Sequence, residues 1–256
     1  MSGQPAGWRE YLRSYHEGHA GITEALLRHC RADPYQWLLD GQHTTGRRVL
    51  DLASGSGPLA EHLRAASYLG VDSSAAELKL AAGRHAQPAI RADATRLPMA
   101  SSSVDLVVCS MALQVLTPLP EVLAEIARVL RPRGRLIAML PVSRPLTARD
   151  RVRYAQVLLR LRRWRLGYAN ARPLRALRGS GWRIESQTTR RFGYPILVPD
   201  DGQRLIEAFY LPATSPCLSA SAVALARRWC GVEMGIPLQR IVASPPPGRG
   251  DPAARA

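Results

Sequence analysis

An α/β fold with a largely parallel sheet is what this sequence predicts, on three observations. From Gly46 onward, short apolar runs alternate with helical stretches, the rhythm of βαβ units. The apolar run Val49 to Ala53 empties into Ser54, Gly55, Ser56 and Gly57, a turn of small residues ahead of Pro58. The next apolar run then closes on an acid, Asp72, about 20 residues further along. At 256 residues the chain suits one large domain with a cap better than two independent ones.

Residues 1–46 read as an aromatic-rich helical cap carrying Trp8, Tyr11, Tyr15, Tyr35 and Trp37. Asp33-Pro34 stops one helix and starts another, Pro being suited to a first helical position. Residues 47–142 form a ligand-binding core. Its strands are predicted over 48–53, 68–72, 89–91, 104–110 and 135–140, with helices over 58–65, 75–85 and 119–130. Val122, Leu123, Ile126, Val129 and Leu130 make one apolar stripe on the last helix, and Arg131-Pro132-Arg133-Gly134 turns the chain into the fifth strand. Residues 143–180 are an Arg-rich, lid-like insertion, whose helix over 147–166 directs Val152, Ala155, Leu159 and Leu166 inward. A strand over 182–192, helices over 203–210 and 220–230 and a closing strand over 238–243 complete a single domain, 1–243. Residues 244–256 read as a flexible tail.

Composition excludes several classes. Hydrophobic residues make up 46% of the chain, too many for a disordered protein. Cys30, Cys109, Cys217 and Cys230 form no CxxC pair and have no His cluster at ligand spacing, so neither a disulfide scaffold nor a metal site is expected. No apolar run nears the roughly 20 residues of a membrane helix and Met1 to Glu10 lacks a signal pattern, which predicts a cytoplasmic location. The net charge of +15 is concentrated: between Arg128 and Arg191, 18 arginines face only Asp150 and Glu185. Such a field suits an anionic acceptor clamped by Arg160, Arg162 and Arg163, an RNA backbone or an anionic membrane, and equally a merely solvated face.

The segment that carries chemistry is Val49 to Pro58. Gly55 and Gly57 let the backbone turn tightly and approach a ligand, and a helix starting near Pro58 would aim free N–H groups and its positive end at it. A carboxylate at Asp72 accepts hydrogen bonds from both hydroxyls of a ribose. Together these predict a nucleoside-containing ligand at the carboxyl ends of the strands. Gly55-x-Gly57-x-x-Ala60 also matches the dinucleotide fingerprint, so a nicotinamide-dependent oxidoreductase stays open on spacing alone.

Taken in order, the motifs of residues 48–142 resemble the core of a class I S-adenosylmethionine (SAM)-dependent methyltransferase, of the small-molecule type that includes the ubiquinone- and menaquinone-pathway enzymes. Asp51-x-Ala53-x-Gly55-x-Gly57 matches the acid-plus-glycine motif, with Ala53 where a glycine usually stands. Asp72 matches the ribose-binding acid. Asp93-Ala94 with Leu97-Pro98 matches the adenine-reading segment, Val104 to Ser110 the fourth strand, and Glu121 to Gly134 the following helix and turn, where Arg133 replaces the commoner Gly.

The resemblance implies a Rossmann-like three-layer sandwich with a seven-stranded, mostly parallel sheet whose last strand is antiparallel, and SAM as cofactor. It implies a cofactor site of Asp51, Ala53, Ser54, Gly55, Gly57, Asp72, Ser73, Asp93, Ala94, Ser110 and Met111. The function implied is methyl transfer to a small organic acceptor at O, N or C. An RNA methyltransferase and a non-catalytic SAM-binding partner are the alternatives within the fold.

The family often carries His after the fourth strand, where this chain has Gln114, so that base does not transfer. Because the N-terminal segment caps the cofactor in this family, His16 and Tyr15 are the candidates for catalysis; His16 also reads as a solvent-facing helix residue. Tyr11, Gln114 and Tyr194 are candidates for acceptor contact, Tyr194 reading equally as core.

Overall fold

A computed structural model describes residues 7–63, 65, 67–84, 88–142, 144–164, 166, 168–170 and 172–247. Seven strands form one sheet: β1 (Arg48–Leu52), β2 (Ser67–Asp72), β3 (Ala89–Arg91), β4 (Val104–Ser110), β5 (Leu130–Pro141), β6 (Arg183–Ile196) and β7 (Val232–Ser244). Their order is β3-β2-β1-β4-β5-β7-β6. The pairs among β1 to β5 are parallel, and β7 runs antiparallel to both β5 and β6. Val49, Leu50 and Leu52 of β1 and Val107 and Val108 of β4 are buried, as strands covered on both faces require.

Helices close both faces. On one side α5 (Leu119–Val129) lays Val122 and Ile126 against Leu50 and Val107, joined by Leu177 of α7 (Pro173–Gly179). On the other, α2 (Ile22–Arg28), α3 (Pro34–Leu39) and α8 (Pro199–Glu207) bring Leu27, Leu38 and Leu205 onto Val49, Val108 and Ile137. The Asp33 side chain accepts hydrogen bonds from the amides of Tyr35 and Gln36, capping α3 with Pro34 in its first turn. Among the described residues no helix is long and apolar enough to cross a membrane. The predicted tail lies outside the described residues from residue 248 on, as do residues 1–6 and His85.

Three expectations are corrected. In place of the helix over 58–65 there is a single 3-10 turn, Ala60–His62; among the described residues of that run only Pro58 and Leu59 are buried, and they make no stripe that would hold a longer helix. The helix end expected to face the ligand is therefore absent. Strand β5 starts earlier than expected, at Leu130 paired with Val104; residues 131–134, with Arg133 at φ +66°, have no strand partner and turn the chain to Arg135, opposite Leu106. Helix α7 was not legible. The largest departure is α6 (Ala148–Arg160), which buries Asp150 and Val157 and leaves Val152 and Leu159 59% and 77% exposed. Its phase is fixed by charge: the buried Asp150 carboxylate accepts from Arg191 (2.6 Å), the Thr147 hydroxyl (2.6 Å) and the Gly235 amide (2.8 Å). A buried carboxylate without those partners would cost far more than two exposed aliphatic side chains. Two further helices are α1 (Trp8–Gly18) and α9 (Pro216–Arg227), and α4 spans Ala75–Arg84.

Candidate functional site

The carboxyl ends of β1, β2 and β4 open onto a file of three adjoining cavities. The first, about 490 Å³, is lined by Asp72 and Ser73 beyond β2, by Asp93 and Ala94 beyond β3, and by Arg9, Arg13 and His16 of α1. Helix α1 is held over it by the Trp8 indole N–H donating to the Val115 carbonyl (3.0 Å) and by Arg9, which donates to the Thr117 carbonyl (2.9 Å) and pairs with Asp93 at 3.7 Å.

The second cavity, about 80 Å³, is lined by Asp51, Ala53, Ser54, Gly55, Ser110 and Met111, with His16, Glu77 and Tyr210 from helices and loops. It shares Ala53, Asp72 and His16 with the first. The third, about 120 Å³, lies beyond Met111 and Tyr210, which it shares with the second, and its wall is largely apolar: Tyr154, Leu158, Phe209 and Ile236, with Gln114. Gly57 lines none of the three. Its φ of +80° turns the chain, and a Cβ there would touch Ala81.

Electrostatics sort the file. Among the described residues no Lys or Arg lines the second cavity, whereas Glu24, Asp51, Asp72 and Glu77 all do. Asp72 accepts from the amides of Gly55 (2.9 Å) and Ser74 (2.8 Å), which steady its carboxylate, yet burial still raises its pKa. Burial pushes Asp51 up to about 7; the Tyr68 hydroxyl, donating at 2.8 Å, opposes the rise and neighbouring Asp72 adds to it. Asp51 Oδ1 and Ser54 Oγ are buried with no hydrogen-bond partner. Unpaired buried acceptors in a wall of carboxylates suit a ligand that brings positive charge and donors. The ammonium and sulfonium of SAM meet that requirement, and the larger cavity beside Asp72 and Asp93 has room for its nucleoside.

Tyr210, which lines both the second and the third cavity, joins Glu77 and His16 of the second in a chain of three side chains, of which only His16 is a predicted site residue. His16 Nδ1 lies 3.0 Å from Glu77 Oε1, and His16 Nε2 lies 3.1 Å from the Tyr210 hydroxyl. A Glu77 carboxylate only accepts, so the neutral ring carries its hydrogen on Nδ1 and Nε2 is left to accept from Tyr210. Burial raises the Tyr210 pKa far above the ordinary phenol value, so its hydroxyl stays protonated. Glu77 sits in Ala75-Ala76-Glu77-Leu78, an unremarkable helical stretch, and Tyr210 lies 194 residues from His16. No local pattern links them.

Other predicted residues lie elsewhere. Tyr15 donates to the Glu207 carbonyl (2.6 Å) within an aromatic cluster with Trp8 and Tyr210, and lines none of the cavities. Tyr11 accepts from the Leu211 amide (2.7 Å) in the same wall. Tyr194 is fully buried and donates to the Asp201 carbonyl (2.8 Å), the core role that was its alternative. Gln114 does line the apolar cavity; its amide donates to the Met111 carbonyl (2.6 Å) and its Oε1 is buried without a partner. Among the described residues no arginine lines that cavity: Arg160 and Arg162 are exposed, and Arg163 donates to the Pro212 carbonyl. The arginine clamp on an anionic acceptor therefore has no counterpart there.

A family model described as a methyltransferase domain matches residues 50–138. The phthiotriol/phenolphthiotriol dimycocerosates methyltransferase of Mycobacterium leprae (strain TN) is 38% identical over 99 residues, covering 36% of this chain and 37% of that protein. The demethylmenaquinone methyltransferase of Mycobacterium sp. (strain KMS) is 41% identical over 93 residues, 36% of this chain and 40% of that protein. The similarity to these relatives thus spans well under half of their length. In fold, the chain is similar to the geranyl diphosphate C-methyltransferase of Streptomyces coelicolor A3(2), solved with S-adenosyl-L-homocysteine, at TM-score 0.54 and 15% identity over 93% of this chain and 97% of that one.

Proposed function

We propose that the chain, whose residues 50–138 match a methyltransferase domain, moves a methyl group from SAM to a small apolar acceptor bearing a protonated nucleophile such as a hydroxyl. The observation that carries this is the file itself, in which a carboxylate-lined cavity and an apolar one meet at Met111 and Tyr210. In this reading Asp72 and Ser73 hold the ribose, Asp93 and Ala94 the adenine, and Asp51, Ala53, Ser54, Gly55 and Ser110 the methionine end, with residues 1–46 as the cap. Bound SAM supplies an electrophilic methyl on a cationic sulfur that is neutral after displacement.

The chain's own part is to orient, to exclude water and to take a proton. Met111, with its backbone at φ +56°, stands between the two cavities, a strained conformation of the kind found where a site over-determines its geometry. Tyr210 would accept the acceptor's proton while passing its own to His16 Nε2, and Glu77 would stabilise the resulting imidazolium. The arrangement favours a nucleophile that must lose a proton over one that need not.

Calorimetric titration with SAM and with NADH, of the parent and of Asp72→Ala, tests the reading. SAM should bind and NADH should not, and the substitution should weaken SAM by about 10- to 150-fold through lost charge-assisted hydrogen bonds. Binding of NADH alone, or SAM affinity indifferent to Asp72, would overturn it.

A further inference from the structure

We propose that the outward face of α6, with Trp164 in the segment just beyond its end, is an in-plane docking surface for an anionic lipid bilayer. Ala148, Val152, Ala155 and Leu159 recur at i, i+4, i+7 and i+11, so they share one stripe, and all four are exposed. Asp150 and Val157, on the opposite side of the helix, hold α6 to the body of the protein. The stripe is bordered on both flanks by exposed arginines, Arg149 and Arg160 on one side and Arg151 on the other, and exposed Arg162 follows just past the helix end. Trp164 is 99% exposed, whereas Trp8, Trp37 and Trp182 are buried. The single acid between residues 144 and 164, Asp150, is buried and paired.

An apolar stripe flanked by arginines matches an interface: aliphatic side chains and tryptophan enter the boundary of the acyl region while guanidinium groups reach the headgroups. A second copy of this chain would set arginines against arginines. An RNA would pair with the arginines but has no use for Val152 and Leu159. The same segment lines the mouth of the apolar cavity through Leu158 and Trp164. A docked chain would thus open that cavity beside the lipid. Docking stands on α6 alone; only delivery of an acceptor from the bilayer rests on the methyl-transfer reading.

The test is co-sedimentation of the full chain with vesicles of phosphatidylcholine, with and without phosphatidylglycerol, at low and high salt. Partition should require phosphatidylglycerol, weaken with salt, and fall about fivefold for each of Arg149, Arg151, Arg160 and Arg162 replaced by Gln. The pair Val152→Asp and Leu159→Asp, at exposed positions, should lower it by at least about tenfold. Tryptophan emission should shift to the blue on adding vesicles, and Trp164→Phe should abolish the shift, a readout that stands if the aspartate pair fails to fold. No partition at low salt, or partition indifferent to the aspartate pair in a folded protein, overturns the proposal. So would single-stranded RNA binding that needs the arginines and ignores Val152 and Leu159, or a concentration-dependent dimer lost with the aspartate pair. SAM titration of the same variants should be unchanged, which separates failure of docking from failure of the cofactor reading.

Discussion

The two cavities that meet at Met111 differ in how much of each is local in the chain. The carboxylate-lined one takes Asp51, Ala53, Ser54 and Gly55 from one strand-to-loop segment and Asp72 from the end of the next strand, and completes its wall with distant residues such as His16, Glu77 and Tyr210. The apolar one draws Leu26, Gln114, Tyr154, Leu158, Phe209 and Ile236 from across the chain. A binding site for a constant cofactor can be written into consecutive residues, because the turn after β1 and the acid after β2 fix its geometry locally. A site for an acceptor is assembled by tertiary packing of elements that differ among proteins of this fold.

The proton chain ending at their common wall offers the sharpest break between them. Against whichever apolar hydroxyl compound a radiolabelled-methyl screen returns as acceptor, Tyr210→Phe and His16→Ala should lower kcat by about 100- to 10,000-fold. The SAM dissociation constant should stay within about threefold for Tyr210→Phe, since that hydroxyl serves the acceptor side. Glu77→Gln should lower kcat as well, because its neutral amide cannot stabilise the imidazolium that proton transfer leaves on His16. A rate loss matched by equal loss of SAM binding would assign these residues to the fold and not to proton transfer.

Asp51 sharpens the cofactor side. Its folded pKa of about 7 exceeds the ordinary value of 3.8, so the folded chain keeps a proton that the unfolded chain releases. Its contribution therefore lowers stability as pH rises from about 4 to about 7. Asp51→Asn removes that slope and should stabilise the chain by roughly 3–4 kcal/mol at pH 8 and by little at pH 4, measured by urea midpoints. The same change should weaken SAM and abolish the proton release expected of the parent when SAM is added between pH 6 and 7. Equal stability of the two proteins across this range would mean that Asp51 is not the buried proton holder.

What the sequence disclosed follows the same division. The alternation predicts the strand sequence through β5, and Asp51, Asp72 and Asp93 come with it because each stands at or just beyond a strand end. Tyr194 was ambiguous because an aromatic beside a strand end looks alike whether it faces a cavity or the core. The orientation of α6 could not be read from periodicity, since two apolar stripes run along it and a buried ion pair, Asp150 with Arg191, chooses between them. Glu77 and Tyr210 reach His16 only through long-range packing, about which spacing is silent.

The smallest effects separate the turn beside the cofactor from an equivalent position away from it. Ala53 and Arg133 stand where glycine is commoner, and both are left-handed, at φ +56° and +66°. A side chain there costs about 1–2 kcal/mol, partly offset because glycine gains freedom in the unfolded chain. Ala53→Gly and Arg133→Gly should each stabilise the chain by about 0.5–1 kcal/mol, a rise in urea midpoint with unchanged slope. They should differ in binding. Arg133 lies in the turn before the paired part of β5 and should leave SAM affinity untouched, whereas Ala53 lines both cofactor-side cavities and its loss should alter that affinity. If both glycines shift SAM binding alike, the change acts through the sheet as a whole, and the cleft at Ala53 loses its claim to be the local cofactor wall.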